Sequence, residues 1–241
     1  MASFSGSFSD RVLEAYYKKS RKSIKNKWKY ILRKRSVCNF CQKPINPFYL
    51  IPIFGYFISK KKCFLCQNII PWRYPIEEFT AFVYGLIIGF FHPDIFYIVS
   101  TGIYFIIVYL IIQTDKSYFL IPTEAIFTLL VFGLFEIFLI RGYYIKKYGQ
   151  ILDLISAFLW FFIFYLIKIA SKNKLGLADI RLTLALCMLI GYPKALFFPT
   201  AASFSGIIYY AITKGKKAFI NKTKVPFGVF LGLTFLIFRI F

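Results

Sequence analysis

The chain has 241 residues, of which 59% are apolar, and it carries 31 Lys and Arg against 10 Asp and Glu. A soluble domain of this size could not enclose so many aromatic and aliphatic side chains, so the apolar segments are expected to face lipid. The single histidine, His92, excludes an HExxH zinc protease and makes a Ser-His-Asp triad hard to build. An ordinary soluble enzyme is therefore excluded, and acid–base chemistry would come from carboxylates or Ser/Lys pairs.

Composition divides the chain near residue 75. Residues 1–75 hold 16 of the 31 Lys and Arg and four of the five cysteines, and residues 76–241 are a series of apolar runs with short polar breaks. We predict a basic cytosolic region over 1–75 and an all-α, polytopic membrane bundle over 76–241. The apolar runs predict seven spans, at about 76–92, 95–113, 119–140, 151–170, 179–192, 195–213 and 226–241.

The distribution of positive charge predicts the orientation of the bundle. With residues 1–75 in the cytoplasm, 26 of the 31 Lys and Arg fall on the inner side. The basic run at 17–35 is typical of nucleic-acid binding or of an amphipathic helix on anionic lipid. Ile24, Trp28 and Ile31 recur with helical spacing, which favours the lipid interpretation, so we expect the bilayer as partner and no nucleic acid.

The cysteines predict a metal site. Cys38 and Cys41 form one C-x2-C pair, Cys63 and Cys66 form another, and 21 residues separate the pairs. Two such pairs can complete a tetrahedral sulfur site for structural Zn²⁺ in a reducing cytosol. The alternative, two disulfides, requires the oxidising side and conflicts with the predicted orientation. Cys187 lies within an apolar run and is expected to fill the core.

Two carboxylates stand apart from the other acids. Glu77, Glu78, Glu124 and Asp153 lie near helix starts, where capping would explain them, and Glu136 has no such explanation. Asp115 and Asp179 are 64 residues apart, yet the predicted topology places both at the cytosolic membrane face. Two adjacent carboxylates cannot both ionise easily, so one would hold a proton while the other acts as a base. Such a pair could activate water and protonate a leaving amine, although isolated acids at loop–helix junctions are usually caps.

Several segments, taken in order, resemble the type IV prepilin peptidases, which are intramembrane aspartic proteases of the GxGD kind. The correspondence begins with GSF at 6–8, which is similar to the family's GSFLN. It continues through the cysteine segments, the prolines and acids that follow them, and both aspartates. The similar segments are RSVCNFC (35–41), YLIPIFGY (49–56), KKCFLC (61–66), RYPIEEF (73–79), DKSYFLIP (115–122), GLADIR (176–181) and VPFGVFLGL (225–233).

The resemblance implies an activity and a set of site residues. Asp115 and Asp179 would be the catalytic dyad, and the four cysteines would hold the zinc of a small zinc-ribbon-like insertion. The substrates would be prepilins or pseudopilins of type IV pili or type II secretion, whose short basic leader is cleaved at the cytosolic face of the bacterial inner membrane. Many members also N-methylate the new terminus with S-adenosylmethionine, an activity associated with the cysteine region. The supporting residues implied are Gly176, Ala178, Pro122 and Glu78.

The chain departs from the family pattern in three places. The family normally has an apolar span ahead of GSF, whereas only the five residues MASFS precede GSF here. We therefore expect either that the true start lies upstream or that this first span is missing. Ala178 replaces the second glycine of GxGD, and SDR follows GSF where the family has LN, which leaves methyl transfer open. Two alternatives therefore remain, a degenerate scaffold that binds a partner through its zinc and basic region, and a transporter with paired acids. The transporter fits less well because both aspartates lie at a membrane edge.

Overall fold

The computed structural model describes residues 36–38, 40–41, 43–141, 147–172, 175–214 and 225–241. The predicted basic helix at 17–35 and the GSF segment at 6–8 lie outside this part of the chain. The described residues form helices, with isolated β-bridges in the cysteine region, so the predicted all-α class is confirmed. In chain order the α-helices are α1 Phe54–Ile58, α2 Arg73–Phe91, α3 Ile95–Tyr118, α4 Thr123–Phe135, α5 Lys147–Ala170, α6 Leu177–Ile190, α7 Lys194–Lys214 and α8 Phe227–Ile240.

The chain forms two compact units that meet in sequence between Ile98 and Val99. The first unit contains the cysteine segments, α1 and α2, and the second contains most of α3 and the helices after it. The two units are a geometric division, which keeps α2 with the cysteine segments. It does not test where a function begins, so the functional boundary that we predict at residue 75 stays a prediction.

Within the described ranges, four helices are long and apolar enough to cross a membrane by length and composition. They are Arg73–Phe91, Ile95–Tyr118, Gly149–Ala170 and Lys194–Thr213. Each coincides with a predicted span. Three further predicted spans coincide with shorter helices, of which α6 and α8 have 14 residues each. A 14-residue helix is about 21 Å long, less than the roughly 30 Å of a hydrocarbon core.

Helix α6 is short because protein, rather than lipid, surrounds it. It packs against α4, α5, α7 and α8. Leu182, Ala185, Leu186, Cys187 and Leu189 of this helix are all fully or almost fully buried. A helix that is apolar on every side belongs in a core, and α6 is the centre of the second unit. Cys187 is a core residue, as the sequence predicted.

The structure explains Glu136, for which the sequence offered no role. This residue begins a π-helical segment, Glu136–Arg141, that continues α4. Its Oε1 accepts a hydrogen bond from Arg239 Nη2 at 2.8 Å, and its Oε2 accepts one from the Tyr104 hydroxyl at 2.9 Å. Arg239 also donates to the carbonyl of Leu189 at 2.7 Å. This buried ion pair therefore connects α3, α4, α6 and α8 through groups that satisfy each other.

Candidate active site and metal centre

The four cysteines of the first unit converge on one point. Their Sγ atoms all lie within 4.8 Å of one another, and those of Cys38 and Cys66 are 3.8 Å apart. All four are free thiols, so the alternative of two disulfides is not what the structure contains. Sulfurs bonded to one tetrahedral Zn²⁺ at about 2.3 Å are about 3.8 Å apart, so the four residues fit this ion. This cluster could hold zinc, and it leaves no coordination position for a substrate.

Each C-x2-C pair lies in a tight hairpin that aims two sulfurs in one direction. The N–H of Cys38 donates to the carbonyl of Lys43, and the N–H of Cys63 donates in the same way to Asn68. An isolated antiparallel bridge flanks each pair, Val37 with Pro44 and Lys62 with Ile69. The two hairpins are therefore local copies of one design, typical of zinc knuckles.

Backbone donors favour an ionised sulfur in the second hairpin. The N–H of Cys66 donates toward Cys63 and lowers the pKa of the Cys63 thiol to about 6, which favours the thiolate form of this residue. Thiolates are the form that binds zinc. The electrostatics of the hairpin therefore agree with its geometry.

A cavity of about 240 Å³ borders the second hairpin. Lys43 and Lys62 provide positive charge at its wall, and the rings of Tyr49 and Phe64 stack with their centroids 6.2 Å apart. Cys63 also contributes to the lining. The cavity thus combines two cations with aromatic surface beside the cysteine cluster.

Glu78 connects the segment YLIPIFGY, which precedes α2, with the segment RYPIEEF, which begins α2. Its Oε2 accepts a hydrogen bond of 2.6 Å from the N–H of Ile53. Ile53 has a φ of 61°, a left-handed conformation that is costly for a β-branched residue. The carboxylate of Glu78 therefore stabilises a strained turn in the segment YLIPIFGY, a role different from the helix capping that the sequence suggested.

Asp115 lies in the last turn of α3 rather than beyond the predicted end of that span at residue 113. Residues 114–118 contain no helix breaker, so α3 continues until Phe119, where φ is 54°. Asp115 is 4% exposed. Its Oδ2 accepts a hydrogen bond from the N–H of Val229 at 3.2 Å, and the N–H of Gly228 also faces it. The positive end of the α8 dipole thus stabilises this carboxylate.

The segment VPFGVFLGL positions α8 against α3. A Cβ at Gly228 would lie 2.9 Å from Oδ2 of Asp115, and a Cβ at Gly232 would lie 2.7 Å from Cγ1 of Ile112. The two glycines are four residues apart and so lie on one face of α8. Small residues at this spacing let membrane helices approach closely. The family resemblance included this segment, but nothing in the sequence indicated that it contacts Asp115.

Asp179 occupies the first turn of α6 and is partly buried. Gly176 precedes the helix as its N-cap, and a Cβ there would lie 2.8 Å from Oδ2 of Asp179. Ala178 packs at the edge of the core, and Pro122 is the N-cap of α4, in the loop after α3. All four residues belong to the second unit.

The fold brings the two aspartates together. The carboxylates of Asp115 and Asp179 lie close enough to interact electrostatically, and Tyr210 of α7 also lies within range of Asp115. The ends of α3, α6 and α8 that carry Asp115, Asp179 and Gly228 therefore meet at one site. Tyr210 was missed by sequence reasoning because nothing in its local pattern distinguishes it from other aromatic residues of the spans.

Sequence comparisons match both parts of the chain. The profile described as Bacterial Peptidase A24 N-terminal domain matches residues 1–91, and the Type IV leader peptidase family matches residues 102–211. No solved structure gives a significant match.

The curated relatives share one name. The chain is similar to proteins called prepilin leader peptidase/N-methyltransferase from Neisseria gonorrhoeae, at 26% identity over 77% of this chain, and from Legionella pneumophila, at 26% over 84%. The match covers 66% of the Neisseria protein and 71% of the Legionella protein. A Bacillus subtilis protein of the same name is 26% identical over 42% of this chain and 41% of its own. With both profiles in order along most of its length, this chain belongs to the type IV leader peptidase family.

Proposed function

We propose that this protein is a membrane aspartic endopeptidase that removes the leader from prepilin-type precursors. The observation that carries the proposal is the meeting of Asp115 and Asp179. They are 64 residues apart in the sequence, lie on different helices and interact electrostatically. Family membership supports the same activity. The four membrane-capable helices are consistent with a substrate that is itself anchored in lipid.

The proposed chemistry uses one proton shared between the two carboxylates. The ionised carboxylate takes a proton from a water molecule, whose oxygen attacks the carbonyl carbon of the scissile peptide bond. The protonated carboxyl group donates a hydrogen bond to the carbonyl oxygen, and a proton reaches the amide nitrogen as the C–N bond breaks. The products are a leader with a new carboxylate and a pilin with a new amine. The N–H groups of Gly228 and Val229 hold Asp115 in one orientation during these steps.

The positive charge of the chain indicates where cleavage occurs. With the cysteine segments in the cytoplasm, most Lys and Arg lie on that side, as in other inner-membrane proteins. The proposed site then lies at the cytosolic end of the bundle, where a short leader would emerge from an apolar pilin helix. The substrates are prepilins, as the names of the relatives imply, or pseudopilins, as the family resemblance implies.

The test is cleavage of a prepilin-type precursor by the full chain in membranes. Asp115→Asn and Asp179→Asn should each abolish cleavage without changing membrane insertion. Asp94→Asn is the matched control, because Asp94 is exposed and only caps the start of α3 through the N–H of Phe96. Cleavage at the normal rate by either variant would contradict the proposal and favour the scaffold alternative.

A second activity is proposed for the first unit. We propose that S-adenosylmethionine binds in the cavity beside Cys63, where Lys43 or Lys62 would hold its carboxylate and Tyr49 would hold its adenine ring. The cavity lining and the name that the relatives share support this assignment. Zinc held by the four cysteines would stabilise the cavity wall, since the site is closed to substrate. Tyr49→Ala should stop methylation of the product, measured as mass at its N-terminus, and leave cleavage unchanged.

A further inference from the structure

The helix α1 presents an apolar surface outward instead of inward. Phe54, Phe57 and Ile58, which we call the α1 face, are 68%, 55% and 59% exposed. They have the spacing i, i+3 and i+4, which places three side chains on one side of a helix. The opposite side of α1 carries the buried residues Gly55 and Tyr56. A face of this composition requires an apolar environment.

Two contacts fix α1 beside the start of α2. The ring of Tyr56 lies 5.2 Å from that of Trp72, the residue immediately before α2. Just before the first residue of α1, the N–H of Ile53 donates to Glu78 in the second turn of α2. The α1 face is therefore held near the first turns of a helix that is long and apolar enough to cross a membrane.

The position of Trp72 indicates the depth at which this occurs. Trp is enriched where a span leaves the hydrocarbon and enters the headgroup region. Trp72 is half exposed and precedes the span directly. We therefore expect the α1 face, which contacts Trp72 through Tyr56, to lie at the level of the membrane interface.

Positive charge adjoins the same surface. Lys60, Lys61 and Lys62 follow α1 directly and are all exposed. The Nζ of Lys61 lies 4.6 Å from the centroid of the Trp72 ring, a cation–π contact that places this charge beside the interfacial tryptophan. The N–H of Lys61 donates to the carbonyl of Tyr56, so the lysines fold back beside α1.

We propose that the α1 face, Lys60 and Lys61 bind the anionic lipid surface of the membrane that α2 enters. The apolar side chains enter the acyl boundary and the ammonium groups contact phosphate, as in interfacial amphipathic segments. This second attachment holds the cysteine hairpins at a fixed height above the bilayer, since they flank α1 in sequence. The inference is independent of the peptidase proposal.

The experiment is photo-cross-linking of the full chain in nanodiscs of equimolar phosphatidylglycerol and phosphatidylcholine. Phe57→p-benzoylphenylalanine should give peptides that carry lipid, with phosphatidylglycerol enriched about twofold or more. The matched control is Phe64→p-benzoylphenylalanine. Phe64 is also an exposed phenylalanine of the first unit, but it stacks on Tyr49 beside the cavity. Lys60→Gln with Lys61→Gln should bring the lipid ratio at position 57 close to one.

Cross-links from position 57 to another part of this chain or to a second copy would overturn the proposal, as would equal lipid labelling at positions 57 and 64. Hydrogen exchange of the unsubstituted protein provides a measurement that no variant can disturb. Amides of residues 54–62 should exchange more slowly in the mixed nanodiscs than in pure phosphatidylcholine. Identical exchange in the two lipids would also overturn the assignment.

Discussion

The backbone N–H of Val229 donates a hydrogen bond to Oδ2 of Asp115 across 114 residues of sequence. The last helix of the bundle is therefore a direct partner of a candidate catalytic carboxylate. The contact depends on Gly228, which lets the N-terminus of α8 approach the side chain of Asp115. A family segment that resembles a simple closing span thus has a specific task, which is to supply N–H donors to an otherwise buried charge.

Gly228→Ala should impair cleavage. The added Cβ would lie 2.9 Å from Oδ2 of Asp115 and 2.9 Å from Cδ1 of Ile121, so it would separate α8 from the carboxylate. We expect kcat/KM for a prepilin to fall by about tenfold or more, equivalent to about 1.4 kcal/mol of transition-state stabilisation. The matched control is Gly102→Ala in α3, where a Cβ would have no neighbour within 4 Å in the described part of the chain. Equal activities of the two variants would show that the approach of α8 does not matter.

Gly176→Ala tests the second aspartate in a different way. Among the residues that the structure describes, the only atoms within 4 Å of a Cβ at this position belong to the Asp179 carboxylate, which can rotate away without any backbone movement. We expect a lower kcat, an unchanged KM and an unchanged melting temperature, because the substitution displaces a reacting group and leaves the packing intact. A fall in melting temperature that accounts for the lost activity would contradict this explanation.

The sequence predicted much of this architecture because its signals are local. The cysteine spacing, the apolar runs and the motif DKSYFLIP each lie within a short stretch, and the structure contains the thiol cluster and helices at those places. The contact of Val229 with Asp115 and the bond between Glu136 and Arg239 are different, since each joins residues more than 100 positions apart. No periodicity in one chain encodes such a pairing.

The length of α6 was also beyond sequence reasoning. Residues 179–192 have the composition of a short membrane span, and only the packing of α4, α5, α7 and α8 around them shows that protein encloses this helix. Asp153 provides a similar case. Its position near a helix start suggested capping, but its Oδ1 accepts a hydrogen bond from the N–H of Tyr192, in the loop between α6 and α7.

The Glu136–Arg239 ion pair predicts a strong asymmetry between single and double substitutions. Arg239→Leu would leave the Glu136 carboxylate buried with the Tyr104 hydroxyl as its remaining partner among the bonds described above, and we expect a loss of about 3–5 kcal/mol in the free energy of unfolding. Replacing both residues by Leu removes the stranded charge, so the double variant should be more stable than Arg239→Leu alone. The stabilities of the unsubstituted protein, Arg239→Leu and the double variant are compared by thermal unfolding in the same detergent. A double variant that is the least stable of the three would contradict the buried-charge explanation.

Removal of one cluster thiol should release the metal. We expect the purified chain to contain about one zinc ion, the stoichiometry of a single tetrahedral sulfur site, and Cys63→Ser to contain much less. The control is Cys187→Ser, because Cys187 lies in the core of the second unit and is absent from the thiol cluster. Elemental analysis by mass spectrometry gives the zinc content of each protein. Full zinc occupancy in Cys63→Ser would show that the cluster is not the binding site.

Two substitutions of Glu78 can separate the effect of its charge from the effect of the hydrogen bond that it accepts from Ile53. Glu78→Ala removes the acceptor for the N–H of Ile53 and should weaken the first unit by about 1.5–3 kcal/mol, since hydrogen bonds to charged groups contribute about that much. Glu78→Gln retains an acceptor oxygen and should lose less. Hydrogen exchange of residues 51–58 measures the difference directly, because the left-handed turn at Ile53 is the element that this bond stabilises. If both variants accelerate exchange equally, the charge of Glu78, and not its capacity to accept a hydrogen bond, maintains the turn.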